Sequence, residues 1–416
     1  MAAKPDFIDF TEEMRKEYKI LIPNALPIHF ELMREVFIMY GYNLELLNYE
    51  GREVLDTGLK YVHNDTCYPG IVVVGQLMHA LLSGDYDIHK TALMLYQTGG
   101  GCRASNYVHL LRRALKQAGL GFVPVISINF GGIEKYSGFK VTLPMFAKGL
   151  MSWLYGDFLM LLYNQTKPYE KKENHTDKML CKWNKEITRQ FKANKGLSNS
   201  AIRKNFIAIA DDFSKIPVYR KNKVKVGIVG ELYVKYAKFG NNHLQEFLQD
   251  HNCEVRIPGI LGFAMYSLSI GMEDKKLYGE KFGTVAFSKL SVKYIEKLEQ
   301  IMIDVLSGYK CFEAPMKFSE IKKLGTQIVG SGVKMGEGWL LPAEMMELEK
   351  SGVKNLICCQ PFGCLPNHIV GKGVIRKVRE LNPDSNICAI DYDAGAARVN
   401  QENRIKLMLA VAQEKA

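Results

Sequence analysis

Short apolar runs alternate with stretches of helical spacing through the first third of the chain. Residues 19–24 (KILIPN), 43–48 (NLELLN), 91–97 (TALMLYQ) and 122–128 (FVPVISI) have the length and composition of strands. Between them, 29–41 (HFELMREVFIMYG) reads as a helix closed by Gly41. Residues 69–84 (PGIVVVGQLMHALLSG) read as a second helix, opened by Pro69, where a missing N–H does no harm. After the third strand, TGGGCRASNYVHLLRRALKQAG is a glycine turn feeding a helix. This alternation predicts a parallel sheet flanked by helices. Residues 141–218 are helical in pattern, and then the alternation restarts. Strands are expected at 223–231 (KVKVGIVGE), 253–260 (CEVRIPGI), 355–360 (NLICCQ) and 386–393 (NICAIDYD). Helices are expected at HLQEFLQDHN, across about 264–312, at HIVGKGVIRKVREL and at the closing segment.

The expected architecture is therefore α/β: a first domain over 1–140, a helical connecting segment over 141–218, and a second domain over 219–416. A length of 416 residues agrees, being long for a single core. The two halves look alike in architecture without repeating in sequence. One stretch, 143–163, is apolar enough to suggest a membrane span, but Lys148 and Asp157 lie inside it. Charges there are costly in lipid, so a buried helix is expected and no membrane partner.

Composition narrows the field further. The N-terminal residues carry no apolar signal segment, which leads to the expectation of a cytoplasmic protein. In that reducing setting nine cysteines read as ligands or catalysts, or as small apolar residues, rather than bridges. The net charge of +11 invites a nucleic-acid reading. Much of the excess lies at 167–196 interleaved with acids, and no nucleic-acid-binding signature is present. A solvated helical face is the expected cause, with no nucleic-acid partner. Acidic ligands such as coenzyme A stay open.

Three cysteines share a context. Cys67 (HNDTCYPG) precedes the helix that Pro69 opens; Cys102 follows a strand and three glycines; Cys364 (QPFGCLPNH) follows a strand and precedes a helix near Pro366. Helix N-termini favour thiolates and lower their pKa. Glycines such as Gly101 let backbone approach a bulky inorganic group. Ligands of open α/β sheets lie at the carboxyl ends of strands, where Cys102 and Cys364 fall. Three thiolates from two domains suit an iron–sulfur cluster with one iron open. Zinc is disfavoured for want of its ligand spacings. A hydrolase pairing Cys67 with His63 would leave the other two cysteines unexplained. For Cys181, Cys253, Cys311 and Cys388 the expectation is a small buried residue.

The stretches HNDTCYPG…GQLMHAL, YQTGGGCRASNYVHLLRRAL, GEGWLLPAEM, CCQPFGCLPNHIVGKG and IDYDAGAARVNQENRIKLML resemble the acyl-CoA dehydratase activase-related proteins. These belong with the 2-hydroxyacyl-CoA dehydratases, benzoyl-CoA reductases and double-cubane cluster proteins. The resemblance runs over nearly the whole chain. It implies that Cys67, Cys102 and Cys364 hold a [4Fe–4S] cluster in the cleft between the domains, or part of an [8Fe–9S] double cubane, as anaerobic oxidoreductases and dehydratases do. Cys358 or Cys359 would extend the metal site in the second case; on one strand they should face opposite ways. It further implies a dimer and a separate ATP-hydrolysing activator as electron source, since no G-x-x-x-x-G-K-[ST] loop occurs here.

Around the proposed ligands, Arg103 and Asn106 could tune a cluster or bind substrate, or else cap a helix or form a surface ion pair. His63, Asn64, Asp65 and Gln360 are also close in sequence. Glu337 (GEGW) is a candidate proton donor, or else part of an exposed turn. The sequence thus carries two functional expectations. One is a reductive iron–sulfur enzyme acting on an acyl-CoA or small-molecule substrate. The alternative is a non-catalytic electron-transfer or cluster-bearing subunit.

Overall fold

The computed structural model describes residues 7–97, 100–128, 134–219, 222–279 and 282–414, apart from the side chains of residues 282 and 284. Two four-stranded parallel sheets dominate. β1 (Lys19–Pro23), β2 (Asn43–Leu47), β3 (Thr91–Tyr96) and β4 (Val125–Ile128) run in the order β2-β1-β3-β4. β5 (Val224–Gly230), β6 (Cys253–Arg256), β7 (Asn355–Pro361) and β8 (Asn386–Tyr392) repeat that order as β6-β5-β7-β8. The expected likeness of the halves is thus a likeness of topology. In each sheet the strand order reverses at the central pair, β1/β3 and β5/β7, which is where open α/β sheets bind ligands.

Every expected strand is present, with ends trimmed for physical reasons. β6 stops at Arg256, because Pro258 has no N–H to give a ladder and Gly259 already caps the helix Ile260–Tyr278. The expected single helix at 368–381 is broken into Leu365–Val370, a 3-10 turn Lys372–Val374, and Ile375–Leu381. The break falls at Gly371, where a Cβ would lie 2.6 Å from the Asn367 carbonyl oxygen and 3.1 Å from the Cys358 sulfur. The sequence reading missed several helices, among them Glu12–Glu17, Arg52–Tyr61 and Phe318–Gly325.

Between the sheets run the helices Leu143–Thr166, His175–Lys192 and Asn199–Ser214. They are no mere linker. One apolar core joins Phe30 and Tyr155 to Phe206, Met265 and Trp339, so the connecting helices pack on both halves. A second core runs from Val72 and Leu93 of the first half to Val226, Ile228 and Tyr392 of the second. The lobes therefore share their interiors.

Leu143–Thr166 is a buried helix, as expected, and no helix among the described residues is long and apolar enough to cross a membrane. Its two charges have specific roles. Lys148 lies over the Tyr40 ring, 5.3 Å from the centroid. Asp157 accepts from the Ile260 N–H (2.8 Å), the Leu261 N–H (2.9 Å) and His29 Nε2 (2.8 Å), so it caps a second-lobe helix. The basic stretch at 167–196 is laced with ion pairs, including Lys182–Asp212, Arg189–Glu186 and Lys167–Asp177. This is the solvated helical face anticipated from its interleaved charges.

Candidate functional site

Cys67, Cys102 and Cys364 each occupy an N-cap. Cys67 precedes the helix Tyr68–Leu82, Cys102 the 3-10 turn Arg103–Asn106, and Cys364 the helix Leu365–Val370. Proline at the start of the first and third of these helices fixes the boundary. In none of the three does the side chain make a capping bond to its helix. Of the three glycines before Cys102, Gly99 lies outside the described residues.

The loops that carry them meet across the two lobes. The Tyr68 N–H donates to the Phe362 carbonyl oxygen at 3.0 Å. Gly363, with a left-handed φ of 72°, packs so closely that a Cβ would sit 3.1 Å from the Cys67 Cα. Met335 lies over Gly101, where any side chain would collide with its sulfur, and Gly336 lies against Pro366. Glycine is required at 363 twice over, by conformation and by space.

Two carboxyls stand among the thiols. Glu231 follows β5 at the sheet's reversal point; its Oε2 accepts from the Val234 N–H (2.9 Å) and so caps the helix Leu232–Tyr236. Glu337 is buried rather than on an exposed turn. Its Oε1 accepts from the Leu232 N–H (2.9 Å) and its Oε2 from Asn367 Nδ2 (3.0 Å). Burial pushes both carboxyls above their usual range, and for Glu231 the charge of Glu337 adds to it. A pair held in this way releases its protons as a unit and can keep one near neutral pH.

All three thiols feel Glu231, and Cys102 and Cys364 feel Glu337 as well. Burial pushes the pKa of all three up, Cys102 to about 11, and Glu231 raises each of them further. Helix-end N–H groups at Gly70, Ala104 and Asn367 pull the other way but are weaker. The lowering expected from the helix N-termini is thus present and outweighed, because withdrawing a thiolate from water costs more than a helix end returns. Such thiols favour the protonated form until a cation replaces the proton. Cys67 also meets Tyr107, whose hydroxyl lies 2.9 Å from the sulfur; Gly70 leaves room for that ring.

The remaining residues singled out in sequence fall into separate places. Arg103 is exposed and donates to the Asp65 carbonyl oxygen, tying the Cys67 and Cys102 loops together; it also draws the Cys67 thiol downward. Asn106 is exposed and stands at the N-cap of Tyr107–Gln117, but its side chain makes no capping bond. His63, Asn64 and Asp65 are exposed. His63 Nδ1 accepts from the Asp65 N–H at 3.2 Å, and no hydrogen bond joins it to Cys67. A catalytic pairing of these two finds no contact to rest on. Gln360 is fully buried; its amide donates to the Asn367 carbonyl oxygen (2.9 Å) and accepts from the His368 N–H (3.2 Å).

Cys358 and Cys359 do face opposite ways. Cys358 lies in the core with Val229, Met345 and Val370, and Cys359 in the one with Ile228 and Tyr392. Burial pushes both thiols up, Cys359 to about 12. Cys358 feels the charge of Glu337 and Cys359 that of Glu231, the two carboxyls that also reach the loop thiols. Of the other four, Cys253 is buried as expected, Cys388 is half-buried, and Cys181 and Cys311 are exposed against expectation.

Sequence reasoning missed Glu231, Tyr107 and Asn367. The usable signals were positional: Glu231 directly follows β5, and Asn367 is three residues after Cys364, one helical turn on. Among the described residues no group of three or more His, Cys, Asp or Glu is tight enough to hold a single metal ion. A polynuclear cluster sets its thiolates farther apart than one ion does, so the two situations make different demands. Compared with known proteins, the chain matches no protein-family model and no curated protein significantly.

Proposed function

We propose that this chain is an iron–sulfur protein that takes low-potential electrons from a separate ATP-hydrolysing activator and reduces or dehydrates a substrate. Cys67, Cys102 and Cys364 are the residues that would hold the cluster, [4Fe–4S] or [8Fe–9S], with part of its coordination open. The observation that carries this reading is the gathering of three N-cap thiols, from loops of both lobes, around one buried carboxyl pair. The motif resemblance supports it, as does the donor set: three N-cap thiols from two lobes, without the ligand spacings of zinc. When bound, the cluster would supply single electrons and an open iron to a substrate.

The chain's own residues would do the rest. Glu231 and Glu337, holding a proton in a dry site, would return it to a reduced substrate or take one from a hydroxyl. Tyr107 would steady the Cys67 sulfur, and the Tyr68–Phe362 and Gly363–Cys67 contacts would keep water out. A second reading, an electron carrier for another enzyme, draws on exposed Met335, Phe362, Leu365 and Ile369 around the thiol loops. These would serve a docked protein in either case.

The test is anaerobic purification with iron and sulfide counted per chain. Brown protein with oxygen-sensitive absorption near 400 nm is expected, and about four irons against about eight separates the two cluster types. Colourless, iron-free protein after anaerobic reconstitution would sink the proposal. Reduction by an activator ATPase without turnover of any acyl-CoA or small-molecule substrate would favour the carrier.

A further inference from the structure

Asn367 is fully buried on the first turn after Cys364. Its backbone is fixed from two sides: the carbonyl oxygen accepts from Gln360 (2.9 Å) and from the Gly371 N–H (2.9 Å). Its side-chain Nδ2 donates to Glu337 Oε2 at 3.0 Å and lies 3.4 Å from the Cys364 sulfur. Its Oδ1 is buried and has no partner among the described residues. An unmet buried acceptor is costly, and a native fold that keeps one needs a reason. Once the sulfur ligates it has no proton to give, and turning the amide over would then set the oxygen against a thiolate and take the only side-chain donor among the described residues away from it. The fold therefore keeps the N–H₂ on the sulfur and leaves the oxygen without a partner. Glu337 is anchored in turn by the Leu232 N–H, so the arrangement is braced from the end of β5.

We propose that Asn367 is a positioning residue for the Cys364 sulfur: held by Glu337, its amide donates to that sulfur and raises the reduction potential of the group the sulfur ligates. The inference rests on the cluster reading above. Its physical basis is that reduction adds negative charge, which a donor to a ligand sulfur stabilises.

The experiment is a redox titration of the full chain, loaded with cluster anaerobically, followed by electron paramagnetic resonance. Asn367→Leu keeps the volume and removes the donor. A roughly tenfold fall in the reduced-to-oxidised ratio at fixed potential is expected, about 59 mV for one electron. Asn367→Asp, the same shape with no N–H₂, should fall at least as far. Iron content should stay near that of the unaltered protein in at least one of the two, and that variant decides. An unmoved potential in a loaded variant would overturn the inference while leaving the cluster reading intact. Loss of iron from both variants, with the unaltered protein loaded, would overturn it too, because Asn367 would then serve assembly rather than potential. An unaltered protein that takes up no iron removes both.

Discussion

Glu299 offers a test of the fold's electrostatics that needs no cofactor. It lies on the helix Phe282–Leu306, 9% exposed, and its Oε2 accepts from the Phe318 N–H at 3.0 Å. Burial pushes its carboxyl from 4.5 up to about 7, with Glu296 and Asp157 adding to the rise while the Phe318 N–H and Lys317 oppose it. The folded chain therefore keeps a proton that the unfolded chain gives up near 4.5. Below that pH both states hold it and nothing is lost. As pH rises from 4.5 to about 7 the unfolded state alone ionises, and stability falls; above 7 both are ionised and the loss levels off. At roughly 1.4 kcal/mol per unit the full loss is about 3 kcal/mol. Glutamine can still accept from Phe318 and cannot ionise. Glu299→Gln should therefore match the unaltered protein at pH 5 and exceed its stability by about 3 kcal/mol at pH 8. Urea unfolding at pH 5, 6, 7 and 8 measures this, with Trp339 as reporter because its ring packs 5.9 Å from that of Phe318. Glu347 is raised to about 8 by burial and by the charges of Glu344 and Glu299, so Glu299→Gln lessens its rise as well and adds, in the same direction, to the difference between the curves. A difference that does not grow between pH 5 and pH 8 refutes the reasoning.

Other substitutions reach the site and its frame. Cys364→Ser should lose most of the iron of anaerobically prepared protein, whereas Cys311→Ser, at an exposed cysteine, should keep it; equal iron in both would remove Cys364 as a ligand. Asp157→Ala leaves the Ile260 and Leu261 N–H groups and His29 without their shared partner, and should lower unfolding stability by about 3 kcal/mol or more in the same urea assay. Gly363→Ala meets both a left-handed φ and the Cys67 backbone, so a loss of about 1–2 kcal/mol in thermal stability is expected, together with weaker iron retention.

Much of the frame was legible in the chain because it depends on local chemistry. Short apolar runs such as KILIP and ALMLY fit a buried strand wherever they sit, and Pro69 and Pro366 open helices by the geometry of their own rings. The three N-cap cysteines followed from the same signals, and the opposed directions of Cys358 and Cys359 from strand pleating alone. The break at Gly371 was not legible, since there the helix end packs against the Cys358 sulfur on β7. Nor was the burial of Glu337 in GEGW: what encloses it is Leu232 and Asn367, 105 and 30 residues away along the chain.

The sequence by itself determined two runs of strand and helix and three thiols set at helix starts, because each of these follows from periodicity and backbone stereochemistry within a few residues. Tertiary structure decided what those thiols experience. Shared interiors bring the two lobes' loops together, so Glu231 and Glu337 stand among sulfurs that the chain keeps far apart. Desolvation then outweighs the helix ends, a balance of distance and burial that no local pattern encodes.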